Sequence, residues 1–180
     1  KKGKNKITKD VINAVSEKAE WKKYFITNPD MVAYGNNEAI IYDYGIFNKD
    51  NEPLPLVDNN EETHIKFKVQ FNETVENPFV SVTIKDFHGK EMCGNNTNFM
   101  GIDTGVCKKG EEYIFEFKQK LKLAPGKYTL SISCNRFDDN GELIIMNRNY
   151  DALIIEVTSE KKMVGFFHMD PIESFKKIEK

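Results

Sequence analysis

From about Ala33 onward, apolar and polar side chains alternate one for one. Ile65, Phe67, Val69 and Phe71 interleave with Lys66, Lys68 and Gln70, and Val80, Val82 and Ile84 with Ser81, Thr83 and Lys85. Tyr113, Phe115 and Phe117 interleave with Ile114, Glu116 and Lys118; Tyr128, Leu130, Ile132 and Cys134 with Thr129, Ser131, Ser133 and Asn135. A period of two sends the two sets to opposite sides of a pleated strand, so each run is expected to rest one face on a core. Asn77-Pro78, His88-Gly89, Lys109-Gly110, Ala124-Pro125-Gly126 and Asn140-Gly141 provide turn chemistry between them. Strands at this spacing, with no long helix among them, predict an all-β fold. The expected architecture is an antiparallel β-sandwich of jelly-roll or immunoglobulin-like type.

The first part of the chain has a different period. Val11, Ile12, Val15 and Ala19 recur at helical spacing, with Thr8 as N-cap, so residues 1–26 read as a short helical extension. Asn28-Pro29-Asp30 then stops it. The division is residues 1–32 as extension and 33–180 as sandwich, with Trp21 packing one on the other or stacking on a ligand ring. Ala39–Phe47 changes parity, from Ala39 and Ile41 to Tyr44 and Ile46. Either a β-bulge near Tyr42-Asp43 turns those side chains outward, or Ile40, Tyr42, Tyr44 and Ile46 face inward without one.

Composition removes several function classes. Charged residues are 30% of the 180, yet they nearly cancel to a net charge of −2. That is no field for holding nucleic acid. Apolar runs such as Leu143–Met146 and Leu153–Ile155 are too short to span a bilayer. Lys1–Asp10 lacks the apolar segment of a secretory signal. Cys93, Cys107 and Cys134 read as reduced, mostly buried thiols of a cytosolic protein, with a Cys93–Cys107 disulfide as the alternative.

Catalytic patterns are missing too. His64, His88 and His168 have no metal-binding spacing and read as solvated surface residues, so no metal or other cofactor is expected. Asp138-Asp139 precedes Asn140-Gly141 as ordinary turn chemistry. The chain contains neither GxSxG nor the phosphate-cradling GxxxxGK[ST]. A non-enzymatic chain is expected.

Several blocks resemble a known family in their order along the chain. Gly35-Asn36-Asn37-Glu38-Ala39-Ile40-Ile41, followed by Phe47-Asn48-Lys49-Asp50-Asn51, resembles the opening strand of the Wzt C-terminal domain. Asn77-Pro78-Phe79 through His88-Gly89, then Gly94-Asn95-Asn96-Thr97, resemble its next segments. Leu123-Ala124-Pro125-Gly126-Lys127-Tyr128 and Asp151-Ala152 with Ile155-Glu156-Val157 are similar to its later ones. Asn37 stands where a second glycine is often found, and Cys93 where an aromatic is usual. Thr8–Ala14 resembles the run that ends many polysaccharide-exporter ATPase domains, with Val15 in place of a tyrosine.

The resemblance implies a carbohydrate-binding domain of an ABC transporter for O-antigen (lipopolysaccharide) or related bacterial polysaccharides. Such a domain recognises the capped non-reducing end of the glycan and couples chain completion to export. It implies a cytoplasmic location at the inner face of the membrane, contact with the transporter's membrane subunit through the parent protein, and a homodimer made by exchanging the last strand, here Met163–Met169. Alternatives are a structural or protein-interaction sandwich, or a glycan-processing enzyme.

The residues themselves suggest where a sugar would sit. If Asn140-Gly141 is a two-residue turn, Ser133 opposes Arg148, Ser131 opposes Tyr150, and Asn135 opposes Met146. Ser131, Ser133, Asn135, Arg148 and Tyr150 then share a polar face, with Tyr42 offering a further ring. Of 26 basic residues only Arg136 and Arg148 are arginines, and a guanidinium fork suits an acidic cap.

Overall fold

The alternating runs become strands close to their expected limits. The computed structural model describes residues 9–172 and 174–178. Its strands are β1 (Ile26–Thr27), β2 (Val32–Tyr34), β3 (Ala39–Phe47), β4 (Leu56–Asp58), β5 (Glu62–Phe71) and β6 (Val75–Glu76). They continue with β7 (Phe79–Asp86), β8 (Glu91–Asn96), β9 (Val106–Cys107), β10 (Glu112–Lys120), β11 (Gly126–Phe137) and β12 (Leu143–Thr158). One sheet runs β12-β11-β7-β8, and the second runs β10-β5-β3. The short β1, β2 and β4 pair along β12, which covers backbone groups that would otherwise template aggregation.

Between the sheets, Ile65, Phe67, Val69 and Phe71 of β5 join Val82, Ile84, Leu130, Ile132, Leu153 and Ile155 in one core. Burying each such side chain contributes about 1.5–3 kcal/mol. Tyr113, Phe115 and Phe117 are only partly buried because β10 is an edge strand, and they pack onto Phe67 and Phe71.

The N-terminal extension is less helical than its periodicity suggests. Helix α1 covers Lys9–Ser16, and a 3-10 turn covers Lys22–Tyr24; Thr8 lies outside the described residues. The helix ends early because the buried Asp43 carboxylate captures the backbone N–H groups of Glu20 (2.9 Å), Trp21 (3.0 Å) and Lys22 (3.1 Å). By Ile26–Thr27 the chain is already extended against Leu153 and Ile154.

Asp43 is available for this because β3 carries the bulge. Its register against β5 slips between Ile41 and Asp43, so Tyr42 and Asp43 both leave the core side while Ile41 and Tyr44 remain in it. Trp21 packs edge-on to Phe47 at 5.2 Å and under the Lys68 ammonium at 4.2 Å. Phe25 lies so close over Gly45 that a Cβ there would sit 2.5 Å from its ring.

Two expectations change and one, that of free and mostly buried thiols, stands. His64 is 5% exposed, not solvated, because β5 is the middle strand of its sheet and neighbours cover its outer side. Its ring nitrogens lie 2.8 Å from Glu116 and 3.0 Å from Glu62. Residues 163–169 form no regular strand; a single bridge joins Phe167 to Leu123, with Ala124 N–H donating to Phe166 O and His168 N–H to Lys122 O. All three thiols are free, and Cys93 is exposed while Cys107 and Cys134 are buried.

The hairpin at Asn140-Gly141 also differs in register. Asp138 N–H donates to Glu142 O and Gly141 N–H to Asp138 O, with Gly141 at φ 78°. That is a three-residue loop ending in a left-handed glycine. The three-residue loop sets Asn135 opposite Ile145, and the extra residue Met146 on β12 then restores the expected pairing of Ser133 with Arg148. A second irregularity opposite Ser131 breaks the expected Ser131–Tyr150 pair.

Candidate functional site

The outward side chains of β7, β11 and β12 make a polar face whose central groups are buried and whose Arg148, Tyr150 and Lys85 are part-exposed. Arg148 stands at one end. Its Nη1 donates to Tyr34 Oη at 3.3 Å and Tyr150 Oη at 3.2 Å, and the guanidinium lies 5.3 Å from the Tyr150 ring centroid. Tyr34 comes from β2, whose pairing with β12 sets Tyr34 opposite Arg148. The Tyr34 and Tyr150 rings are 5.8 Å apart. Lys85 of β7 reaches over the Tyr150 ring at 4.4 Å and pairs with Asp151 at 3.5 Å.

These contacts set the electrostatics. Burial alone would lower the Arg148 pKa, but the hydrogen bonds to Tyr34 and Tyr150 raise it, so the charge is secure. The Tyr34 hydrogen bond, followed by that of Arg148, holds the Tyr150 phenol below its usual range despite burial. Arg148 pairs with no carboxylate among the described residues. The other arginine is occupied: Arg136 makes a two-pronged contact with Glu38 at 2.7 and 3.2 Å.

The floor beside Arg148 is built from buried polar groups. Ser133 is 2% exposed and Asn135 1%, and Asn135 Nδ2 donates to Ser133 Oγ at 2.9 Å and Ser81 Oγ at 3.4 Å. Asn135 Oδ1 is the one buried side-chain polar atom without a partner among the described residues. Ser131 has another task. Its Oγ accepts from Asp151 N–H at 2.9 Å and donates to Asp151 Oδ1 at 3.2 Å, bracing a residue at φ 53°.

The structure therefore brings Arg148, Tyr150, Ser133 and Asn135 together, and binds Ser131 into the backbone beneath them. Tyr42 is elsewhere. It belongs to the other sheet, packed with Val15 and Ile40, and its hydroxyl donates to Glu112 at 2.8 Å. The bulge that turned Tyr42 outward turned it under the N-terminal helix. Sequence reasoning missed Tyr34 and Lys85. Lys85 was legible as an outward position of its strand; Tyr34 was not, since β2 is only three residues long. Among the described residues no three His, Cys, Asp or Glu side chains gather to hold a metal, and no helix is long and apolar enough to cross a membrane.

The sequence profile of the Wzt C-terminal domain matches residues 30–169. The chain belongs to the Wzt C-terminal domain family. A crystal structure of the C-terminal domain of Wzt superposes with a TM-score of 0.79 at 21% identity, over 87% of this chain and 95% of that one. A Niemann-Pick type C2 protein from Japanese carpenter ant aligns at TM-score 0.48 and 10% identity, over 74% of this chain and 100% of that one. No curated protein sequence matches the chain.

In this Wzt C-terminal domain the residues that carry the family resemblance serve the backbone. Gly35, at φ 148°, passes so close to β12 that a Cβ would meet Met146 O at 2.2 Å. Asn37 adopts φ 62°, which asparagine tolerates almost as glycine does, so its departure from the family pattern keeps the same turn. Thr97 Oγ1 accepts from Val80 N–H at 3.1 Å, and Tyr128 Oη donates to Ala124 O at 2.8 Å.

Proposed function

We propose that this chain is the non-catalytic carbohydrate-binding domain of a polysaccharide ABC transporter, and that it holds the acidic-capped, non-reducing end of the glycan at Arg148. The observation that carries this reading is a half-buried guanidinium on an open polar face, contacted by two phenols and by no carboxylate among the described residues. A fork so placed is preorganised for a carboxylate or phosphate. Tyr34 and Tyr150 offer ring edges and hydroxyls to the sugar that bears it, with Ser133 and Asn135 beneath.

In this reading residues 1–32 are the tail of a preceding ATPase domain, and the parent protein docks on the transporter's membrane subunit at the cytoplasmic face. Binding of a finished, capped chain then couples completion to export. The open polar face favours this over a structural sandwich or a glycan-processing enzyme.

Calorimetry against capped and uncapped polymer tests the site. A hydrogen bond to a charged group contributes about 1.5–3 kcal/mol, so Arg148→Ala should weaken capped-polymer binding roughly ten- to a hundred-fold. Arg148→Lys should recover only part, since a point charge lacks the fork. Unchanged affinity in a folded Arg148→Ala protein would remove the site from this face.

The dimer reading rests on residues 163–169, where Val164 is 99% exposed and Met169 90%. An apolar segment so uncovered fits exchange onto a second copy. Truncation before Met163 should yield a monomer by light scattering; a soluble dimer would end the idea.

A further inference from the structure

The polar face continues past Arg148 into a groove of about 370 Å³, a volume typical of small-ligand sites. Its lining includes Ser81 and Thr83 of β7, Glu91, Gly94 and Asn96 of β8, and Phe99. Gly94 opposes Thr83 and leaves the floor without a side chain at that point. A Cβ there would meet Val82 O at 2.8 Å. From β12 to β8 the face crosses three strand spacings, roughly 14 Å at about 4.8 Å each, which is longer than one pyranose ring.

Phe99 closes the far end. It is 81% exposed, an unusual position for an aromatic with no packing role. Its loop is braced: Phe99 N–H donates to Asn96 Oδ1 at 2.7 Å, Met100 N–H to Asn96 O at 3.2 Å, and Ile102 N–H to Thr97 O at 2.9 Å. The ring is thus presented by a hydrogen-bonded loop. Charge also differs along the groove, with the Arg148 cation at one end and the Glu91 carboxylate in the lining of the other part. An acidic group fits the first, and hydroxyl donors of a neutral sugar fit the second.

We propose that this groove is a subsite for the sugar inward of the capped end, a neutral pyranose whose C–H face stacks on Phe99 while its hydroxyls meet Glu91, Asn96 and Thr83. The subsite rests on the reading of Arg148 as the terminal site, and it gives the bound chain a direction, from cap at β12 to inner residues at β8.

Calorimetry with defined probes separates the two ideas. The probes are the surface polysaccharide of the encoding organism, its terminal monosaccharide, and non-reducing-end fragments of two and three residues. Phe99→Ala should weaken the longer fragments by about three- to ten-fold, the range of an aromatic contact. The terminal monosaccharide should be unaffected and Phe99→Trp should keep wild-type affinity. If Arg148→Ala weakens every probe while Phe99→Ala weakens none, the subsite is wrong and the terminal site stands. An equal loss on monosaccharide and fragments would place Phe99 in the terminal site and overturn the subsite. Should neither variant change any affinity, the terminal site falls and the subsite with it.

Discussion

The outer faces of the two sheets look alike in sequence and differ in what covers them. On β5 every second residue from Glu62 to Gln70 is charged or polar, as are Ser81, Thr83 and Lys85 of β7 and Thr129, Ser131, Ser133 and Asn135 of β11. Yet the first face is closed. Asp43 is 0% exposed, receives backbone N–H groups from Glu20, Trp21, Lys22 and Tyr44, and meets the Lys68 ammonium at 3.2 Å. His64, Glu116 and Lys66 satisfy one another beside it. On the second face, among the described residues, Arg148 has only phenols and Asn135 Oδ1 has no partner. A saturated polar face fixes structure, while an unsaturated one retains capacity for a ligand.

The contrast breaks most sharply at Asp43. Asp43→Ala leaves the N–H groups of Glu20, Trp21 and Lys22 without their acceptor beneath a part-buried strap, and Lys68 with Glu20 as its remaining carboxylate. Removing one partner from such a buried pair costs about 3–5 kcal/mol, so urea unfolding should show a loss of that size. Hydrogen exchange should lose protection in residues 20–25 first. Glycan binding in the protein that remains folded should be unchanged. An Asp43→Ala protein as stable as wild type would mean that the strap is not latched.

Tyr42 provides a smaller and more selective test. Tyr42→Phe keeps the ring packed on Val15 and Ile40 and removes only the hydrogen bond to Glu112. One such bond contributes about 1 kcal/mol net. Stability should fall by that amount with affinity for capped polymer untouched. A loss of affinity instead would return Tyr42 to the ligand face, against its position on the other sheet.

How far the sequence could be read follows the same divide. Alternation fixed the side of Phe67, Val82 and Leu130, because a period of two is a property of the strand alone. The parity change at Ala39–Phe47 offered the bulge as one of two readings, and the register slip between Ile41 and Asp43 decides for it. What alternation leaves open is the covering of the outer side. Whether Tyr42 and Asp43 meet solvent depends on a strap more than twenty residues earlier in the chain, and His64 on which strands flank β5. Register also departs locally: the loop at Asn140-Gly141 holds three residues, Met146 is an extra residue beside Gly35, and Asp151 bulges where Ser131 braces it. The Arg148–Ser133 pair survived because the extra Met146 offsets the shift made by the three-residue loop, and the second irregularity comes only after it. The resemblance to the family supplied the fold and the proposed ligand class; several of its matching residues shape turns, others (Ser81, Thr83, Gly94 and Asn96) line the proposed groove, and Arg148 lies outside the matching blocks.

The closed face should also make the domain sensitive to acid, and this is the smallest effect of the series. Hydrogen bonds from Lys18 and then Tyr42 hold the Glu112 carboxyl below the usual carboxylate range against a lesser pull from burial. Burial would raise Glu116, yet His64 and Lys66 bring it down as well. A carboxyl whose folded pKa lies below its unfolded value, about 4.3 for glutamate, stabilises the fold above that value. The contribution disappears as pH falls through the folded pKa. Stability should therefore hold from neutrality to about pH 5 and decline below about 4.3. The Glu112 side chain is 38% exposed, so solvent screening limits its share to at most about 1 kcal/mol. Glu112→Gln should lower stability slightly at pH 7 and flatten the acid limb of a urea-midpoint profile. Arg148→Ala should leave that limb unchanged, because no depressed carboxyl contacts it. If Glu112→Gln keeps the full acid slope, the slope originates in the other carboxyls held low, and a Glu116→Gln profile tests the share of the one beside His64 and Lys66.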